Sequence, residues 1–132
     1  SSYRVDRTFD LVDESIAMSA MYAANHVSGV TAIICLTESG ITPLLSSRLS
    51  SVLPIFAISP HIATCRRMAL YRGVIPIYYD VMDGEEDLWA KAIELVAERG
   101  ALEIGDRVAI TCGDLHGKGG STNTLKILEY KG

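Results

Sequence analysis

Gly29-Val30-Thr31-Ala32-Ile33-Ile34-Cys35-Leu36-Thr37-Glu38-Ser39-Gly40-Ile41-Thr42-Pro43 is the stretch on which the fold turns. Its first half, through Leu36, is an apolar, β-branched run of the kind that forms a strand buried on both faces of a parallel sheet. Its second half, Thr37 to Pro43, is a turn that opens a helix, with Thr42 placed as N-cap and Pro43 as the first helical residue. A helix start has unpartnered N–H groups and the positive end of the dipole, so it attracts anions. Ser39 and Thr42 add hydroxyl donors, and Gly40 lets the backbone approach a ligand closely. On these residues alone, an ordinary capped helix after a strand describes the loop as well as a phosphate cradle does.

Working outward, helix and strand patterns alternate. Val12, Ile16, Ala20, Ala23 and Val27 recur at helical spacing on an Ala- and Met-rich stripe within residues 9–27. After the Pro43 helix, Leu53 to Ser59 reads as a second strand, with Pro54 at its start. Pro60 begins a helix that Gly73 stops, and Val74 to Tyr79 is a third strand. Asp83 and Glu86 have capping-box spacing ahead of a helix through Arg99 that Gly100 ends. Arg107 to Cys112 is a fourth strand, and a Gly-rich loop leads to a last strand over Thr122 to Tyr130. The alternation predicts a mostly parallel sheet with helices on both faces. The last connection holds no helix and is too short for a right-handed crossover, so the fifth strand is expected to run antiparallel to its neighbour.

The 132 residues fit one domain and 48% of them are hydrophobic, enough for a substantial core. Net charge is -4 and no basic stripe is visible, which argues against nucleic acid as a partner. No apolar run is long enough to span a bilayer, so no membrane association is expected. Cys35, Cys65 and Cys112 form neither a zinc pattern nor a C-x-x-C pair, and reduced thiols in a cytoplasmic protein are the simplest reading. Residues 1–8 read as a connector from a preceding domain and residues 9–132 as the domain itself.

A second loop, Gly113-Asp114-Leu115-His116-Gly117-Lys118-Gly119-Gly120-Ser121-Thr122, fails as a Walker A motif. Three residues separate its first Gly from Gly-Lys, Gly119 stands where Ser or Thr is required, and a strand follows instead of a helix. If the first and fourth strands are neighbours, this loop and the one after Leu36 emerge side by side and can close on one phosphate. A mobile solvated hairpin loop accounts for it equally well. Lys118 and Arg48 are the cations expected near such a pocket, whereas Arg66, Arg67 and Arg72 read as a solvated helix face or a subunit contact. His26, His61 and His116 suit capping or surface roles, and no nucleophile stands at a diagnostic spacing from any of them.

Three markers in order, Thr37-Glu38-Ser39-Gly40-Ile41-Thr42, Ala69-Leu70-Tyr71-Arg72-Gly73-Val74, and Gly113-Asp114 with Ser121-Thr122-Asn123-Thr124, give the chain a resemblance to the C-terminal domain of pyruvate kinase from Glu14 onward. The resemblance implies a three-layer α/β/α sandwich on a five-stranded, mostly parallel sheet with the last strand antiparallel. It implies an allosteric and subunit-contact domain of a cytoplasmic homotetramer that transfers phosphate from phosphoenolpyruvate to ADP in glycolysis. Catalysis, with magnesium and potassium, belongs to a separate barrel domain, so this segment is expected to carry no catalytic residue, metal or cofactor and to be inactive alone. The effector-phosphate loop maps onto Thr37, Ser39, Gly40 and Thr42. The second effector loop maps onto Asp114, His116, Gly117, Lys118, Gly119, Gly120 and Ser121. Relatives that bind fructose 1,6-bisphosphate often carry a Lys in the first loop, where this chain has Glu38. A bisphosphate carries roughly four negative charges near neutral pH, so a sugar monophosphate or nucleoside monophosphate is the expected effector. The alternatives are a purely structural oligomerisation domain and a stand-alone small enzyme acting on a phosphorylated substrate.

Overall fold

The computed structural model describes residues 11–49, 52–113 and 122–132. Four helices and five strands follow one another as α1 (Leu11–His26), β1 (Val30–Leu36), α2 (Ile41–Ser47), β2 (Ile55–Ser59), α3 (Ile62–Met68), β3 (Val74–Tyr78), α4 (Leu88–Ala97), β4 (Arg107–Gly113) and β5 (Thr122–Glu129). The sheet order is β3-β2-β1-β4-β5. β1 to β4 run parallel and β5 runs antiparallel to β4, as expected from the shortness of the last connection.

The handedness of crossovers decides which face each helix covers. From β1 through α2 to β2, and from β2 through α3 to β3, the chain steps in one direction across the sheet, so α2 and α3 share a face. From β3 through α4 it returns across to β4, which puts α4 on the opposite face. The side chains agree. Ile33, Cys35, Ile55, Ala57 and Val74 pack with Met21 of α1 and with Cys65 and Met68 of α3. Ala32, Ile34, Leu36, Phe56, Ile58, Val108 and Ile110 pack with Leu88, Ala92 and Val96, an i, i+4, i+8 ridge of α4. β1 is buried along nearly its whole length on both faces, as its unbroken apolar run requires.

Several local details differ from the sequence reading. α2 begins at Ile41 with Gly40 as its N-cap, in the left-handed conformation (φ +82°) and without a side-chain cap. Thr42 and Pro43 therefore sit inside the first turn, where the missing N–H of Pro43 is still harmless. Met82–Gly84 is a separate 3-10 turn, and Asp87, not Asp83, caps α4 by accepting the Ala90 N–H at 3.0 Å. The buried stripe of α1 is Asp13, Ala17, Ala20, Met21 and Ala23, whereas Val12 lies half exposed. Small side chains let this helix lie close to the sheet, and that proximity outweighs burying the isolated Val12. Cys35 packs on the α1–α3 face and Cys112 on the α4 face, in keeping with reduced thiols that form no pair. Gly100 closes the turn after α4 at positive φ, its N–H donating to Ala97 O at 2.9 Å. α3 instead ends at Met68, five residues before Gly73, and Gly73 with its positive φ leads into β3.

Candidate functional site: the carboxyl edge of the sheet

In the strand order, the chain reverses direction between β1 and β4. That reversal opens a crevice beyond the carboxyl ends of the two strands, the place where open α/β sheets hold ligands. The turn after β1 occupies it. Thr37 still belongs to the sheet through its N–H, which donates to Ile58 O at 2.9 Å. Its hydroxyl oxygen then accepts the Gly40 N–H at 2.8 Å, folding the turn on itself. The Ser39 hydroxyl oxygen accepts the Ile41 N–H at 3.3 Å and keeps its own hydrogen to donate. The N–H groups of Glu38, Ser39 and Thr42 have no acceptor among the described residues.

The turn is braced from the α3 side by residues far away in sequence. Thr64 donates its hydroxyl to Glu38 O at 2.8 Å, and Arg67 donates to Ser39 O at 2.6 Å. His61 Nε2 lies 3.0 Å from Glu38 Oε1, drawing that carboxylate toward α3. On the other side, Thr42 is buried and its hydroxyl lies 2.5 Å from the Thr122 hydroxyl at the start of β5. The Thr122 N–H donates to Asp13 Oδ1 of α1, also buried, at 2.5 Å.

Of the four residues assigned to the first loop, Ser39 and the surrounding amides face the crevice chemistry most freely. Thr37 and Gly40 shape the turn, and the Thr42 hydroxyl points into the fold. Arg48 lies at the far end of α2, in a groove with Asn25 and Arg72 at the opposite edge of the sheet, and so is not a cation of this site. Arg67 takes that place, and neither its spacing nor His61's signalled it; the only sequence cue was basic character in the last turn of a helix following Ser59. Asp114, His116, Gly117, Lys118, Gly119, Gly120 and Ser121 lie outside the described residues. Their anchors, Gly113 and Thr122, pair across β4 and β5 beside the turn. No group of three or more His, Cys, Asp or Glu side chains able to hold a metal occurs among the described residues. The Cys35 thiol is pushed up to about 11 by burial, an effect the neighbouring Thr111 and Ser46 hydroxyls offset in part, so it is a packing group and not a nucleophile. No helix among the described residues is long and apolar enough to cross a membrane.

A five-stranded α/β sheet with a polar turn at its switch point defines a doubly wound α/β domain. The family model for the pyruvate kinase alpha/beta domain matches residues 14–128, and the chain belongs to that family. A pyruvate kinase of Buchnera aphidicola (subsp. Baizongia pistaciae) is 52% identical over 129 residues, covering 98% of this chain and 27% of that protein. Pyruvate kinase II of Salmonella typhimurium is 52% identical over 128 residues, covering 97% of this chain and 27% of its own length. A crystal structure of a pyruvate kinase from Cryptosporidium parvum superposes with a TM-score of 0.77 at 28% identity, over 89% of this chain and 22% of that one. The chain thus spans about a quarter of the length of the curated relatives it matches.

Proposed function

We propose that this chain is the effector-binding, subunit-contact domain of a pyruvate kinase, and that the 37–42 turn holds the phosphate of a small metabolite. Phosphoryl transfer from phosphoenolpyruvate to ADP, with its magnesium and potassium, is carried out by a barrel domain in the remainder of such an enzyme, to which residues 1–8 connect. The observation that carries the reading is the adjacency of β1 and β4, which sets the turn after β1 beside Gly113 at the end of β4 and Thr122 at the start of β5, at one switch point. The amides of Glu38, Ser39 and Thr42, the Ser39 hydroxyl and the Arg67 guanidinium supply donors there. Thr37 and Gly40 set the turn's shape, and Thr42 holds it from below.

Charge supports a sugar monophosphate or nucleoside monophosphate over fructose 1,6-bisphosphate. Glu38 and His61 form a pair whose net charge is at most neutral, leaving Arg67 to meet one phosphate. Calorimetric titration with glucose 6-phosphate, ribose 5-phosphate, AMP and fructose 1,6-bisphosphate tests this. Tightest binding is expected from a monophosphate, with a loss of about tenfold in Ser39→Ala. Tightest binding by the bisphosphate would overturn the preference, and no binding by any of the four would overturn the site.

The subunit-contact role is supported by a row of exposed apolar side chains. Val12, Met18 and Tyr22 stand on the outer face of α1, and Ile127 of the edge strand β5 alternates onto the same side of the sheet. A homo-oligomer that uses this surface predicts that Met18→Glu with Tyr22→Glu lowers the assembly state in sedimentation while leaving phosphate binding in place.

A further inference from the structure

We propose that Asp13, Thr122 and Thr42 form a buried link through which an anion held at the 37–42 turn is felt at the first turn of α1; the inference rests on the anion-site reading above. Each residue comes from a different element: Asp13 from the start of α1, Thr42 from the start of α2, Thr122 from the start of β5. Asp13 and Thr42 are 2% exposed and Thr122 is 7% exposed, so water does not compete for their polar atoms. Two contacts join them in series, hydroxyl to hydroxyl between Thr42 and Thr122, and Thr122 N–H to Asp13 Oδ1, each 2.5 Å long.

The direction of the link follows from the two ends of Thr42. Its N–H is among the amides at the turn without an acceptor, whereas its hydroxyl reaches down to Thr122. Drawing the turn onto an anion moves both ends together, because they belong to one residue in a helical turn. Thr122 cannot absorb that movement alone, since it is paired with Gly113 at the end of β4 and bonded to Asp13. The displacement therefore reaches α1, the element entered from residues 1–10. The braces on the other side, Thr64 to Glu38 O and Arg67 to Ser39 O, lead to α3 and provide an internal comparison.

Amide hydrogen exchange on this chain, with and without saturating glucose 6-phosphate, tests the link. In the native sequence the ligand is expected to slow exchange at residues 38–44, 62–67 and 11–15. In Thr42→Val, which keeps the side-chain shape and removes the hydroxyl, slowing at 62–67 persists and slowing at 11–15 disappears. Thr42→Ser, which keeps the hydroxyl, restores it. The ligand-free proteins give a second readout: exchange at residues 11–15 is expected to rise about threefold to tenfold in Thr42→Val and in Thr122→Val, the worth of one hydrogen bond. Slowing at 11–15 that survives in Thr42→Val overturns the link, as does ligand-free exchange there that neither valine variant changes. Failure of glucose 6-phosphate to slow exchange anywhere counts against the anion site, and the ligand-free comparison then decides the link by itself.

Discussion

Gly40→Ala isolates the backbone demand of the turn from its packing. Gly40 has φ +82°, a region in which a Cβ meets the following carbonyl, at a cost of about 1–2 kcal/mol. The new methyl would also stand 3.2 Å from Met68 Cγ and 3.4 Å from both Met68 Sδ and Thr64 Cγ2. Met68 is fully buried, so it cannot swing into solvent, and repacking it adds about 1 kcal/mol. The unfolded chain returns part of this, because Ala has fewer conformations to lose than Gly, about 0.4–1 kcal/mol. The net loss is about 1.5–2 kcal/mol. Gly73→Ala is the matched control: its φ is +72° and nothing lies within 4 Å of the added Cβ, so only the backbone cost applies. In urea, with a slope of about 2 kcal/mol per molar, Gly40→Ala is expected to lower the unfolding midpoint by about 0.8–1 M. Gly73→Ala should lower it by about half as much under the same slope. Equal midpoints for the two variants would refute the claim that α3 is packed against the turn, and a higher midpoint for Gly40→Ala would refute the left-handed N-cap itself.

Burial raises the Cys35 thiol from 9.0 to about 11, so folding favours its protonated form. This contribution is fully present below the unfolded value and is lost as pH rises through about 9 to 11, amounting to about 3 kcal/mol at the upper end; Cys35→Ala should flatten a urea stability profile across that window. Cys35, Cys65 and Cys112 are all buried, so a chromogenic disulfide reagent at pH 8 should find no fast thiol in the native protein and three after denaturation. Arg67→Ala removes the guanidinium from Ser39 O on an exposed side chain; glucose 6-phosphate binding should weaken about threefold to tenfold while the melting temperature changes little. Tyr79 donates its hydroxyl to Glu85, which pushes its ionisation up to about 12; Glu85→Gln should bring one tyrosine back toward the ordinary range in an ultraviolet alkaline titration.

The sheet was legible because its signals are local. An unbroken apolar run, a glycine stop and a Gly-rich connection with no helical pattern each act over a few residues, and they gave β1, the end of α4 and the antiparallel β5. The turn at residues 37–42 was legible as a position but not as a geometry. A threonine followed by proline suits an N-cap equally well in two registers, and the choice was made by Gly40, whose left-handed conformation is stabilised by the Thr37 hydroxyl. Asp87 displaced Asp83 as the cap of α4 for a similar reason, since both precede the apolar ridge and only packing fixes where the helix can start. The neighbours of the turn were not legible. His61 is 23 residues from Glu38, Arg67 is 28 from Ser39, and Thr122 is 80 from Thr42. Such pairings follow from the strand order, which no local pattern encodes.

The same strand order explains why the turn's residues divide their duties. At the switch point, α2 starts between α3 on one side and the β4–β5 corner on the other, so each polar group in the turn is claimed by whichever neighbour it faces. Glu38 O and Ser39 O go to α3. The Thr42 hydroxyl goes to β5. Thr37 is drawn back to Gly40. The N–H groups of Glu38, Ser39 and Thr42 have no acceptor among the described residues, and these with the Ser39 hydroxyl are donors. A turn whose Glu38 and Ser39 carbonyls are engaged by α3, and whose Glu38, Ser39 and Thr42 amides have no acceptor among the described residues, favours an anion despite carrying a glutamate, because His61 holds Glu38 toward α3. Under the proposed function, selectivity for a singly phosphorylated ligand would then depend on the α3 braces as much as on the loop sequence. Replacing His61 by Ala should release Glu38 toward the crevice and weaken every phosphorylated ligand, the bisphosphate most; an unchanged titration would show that the carboxylate has no part in the choice.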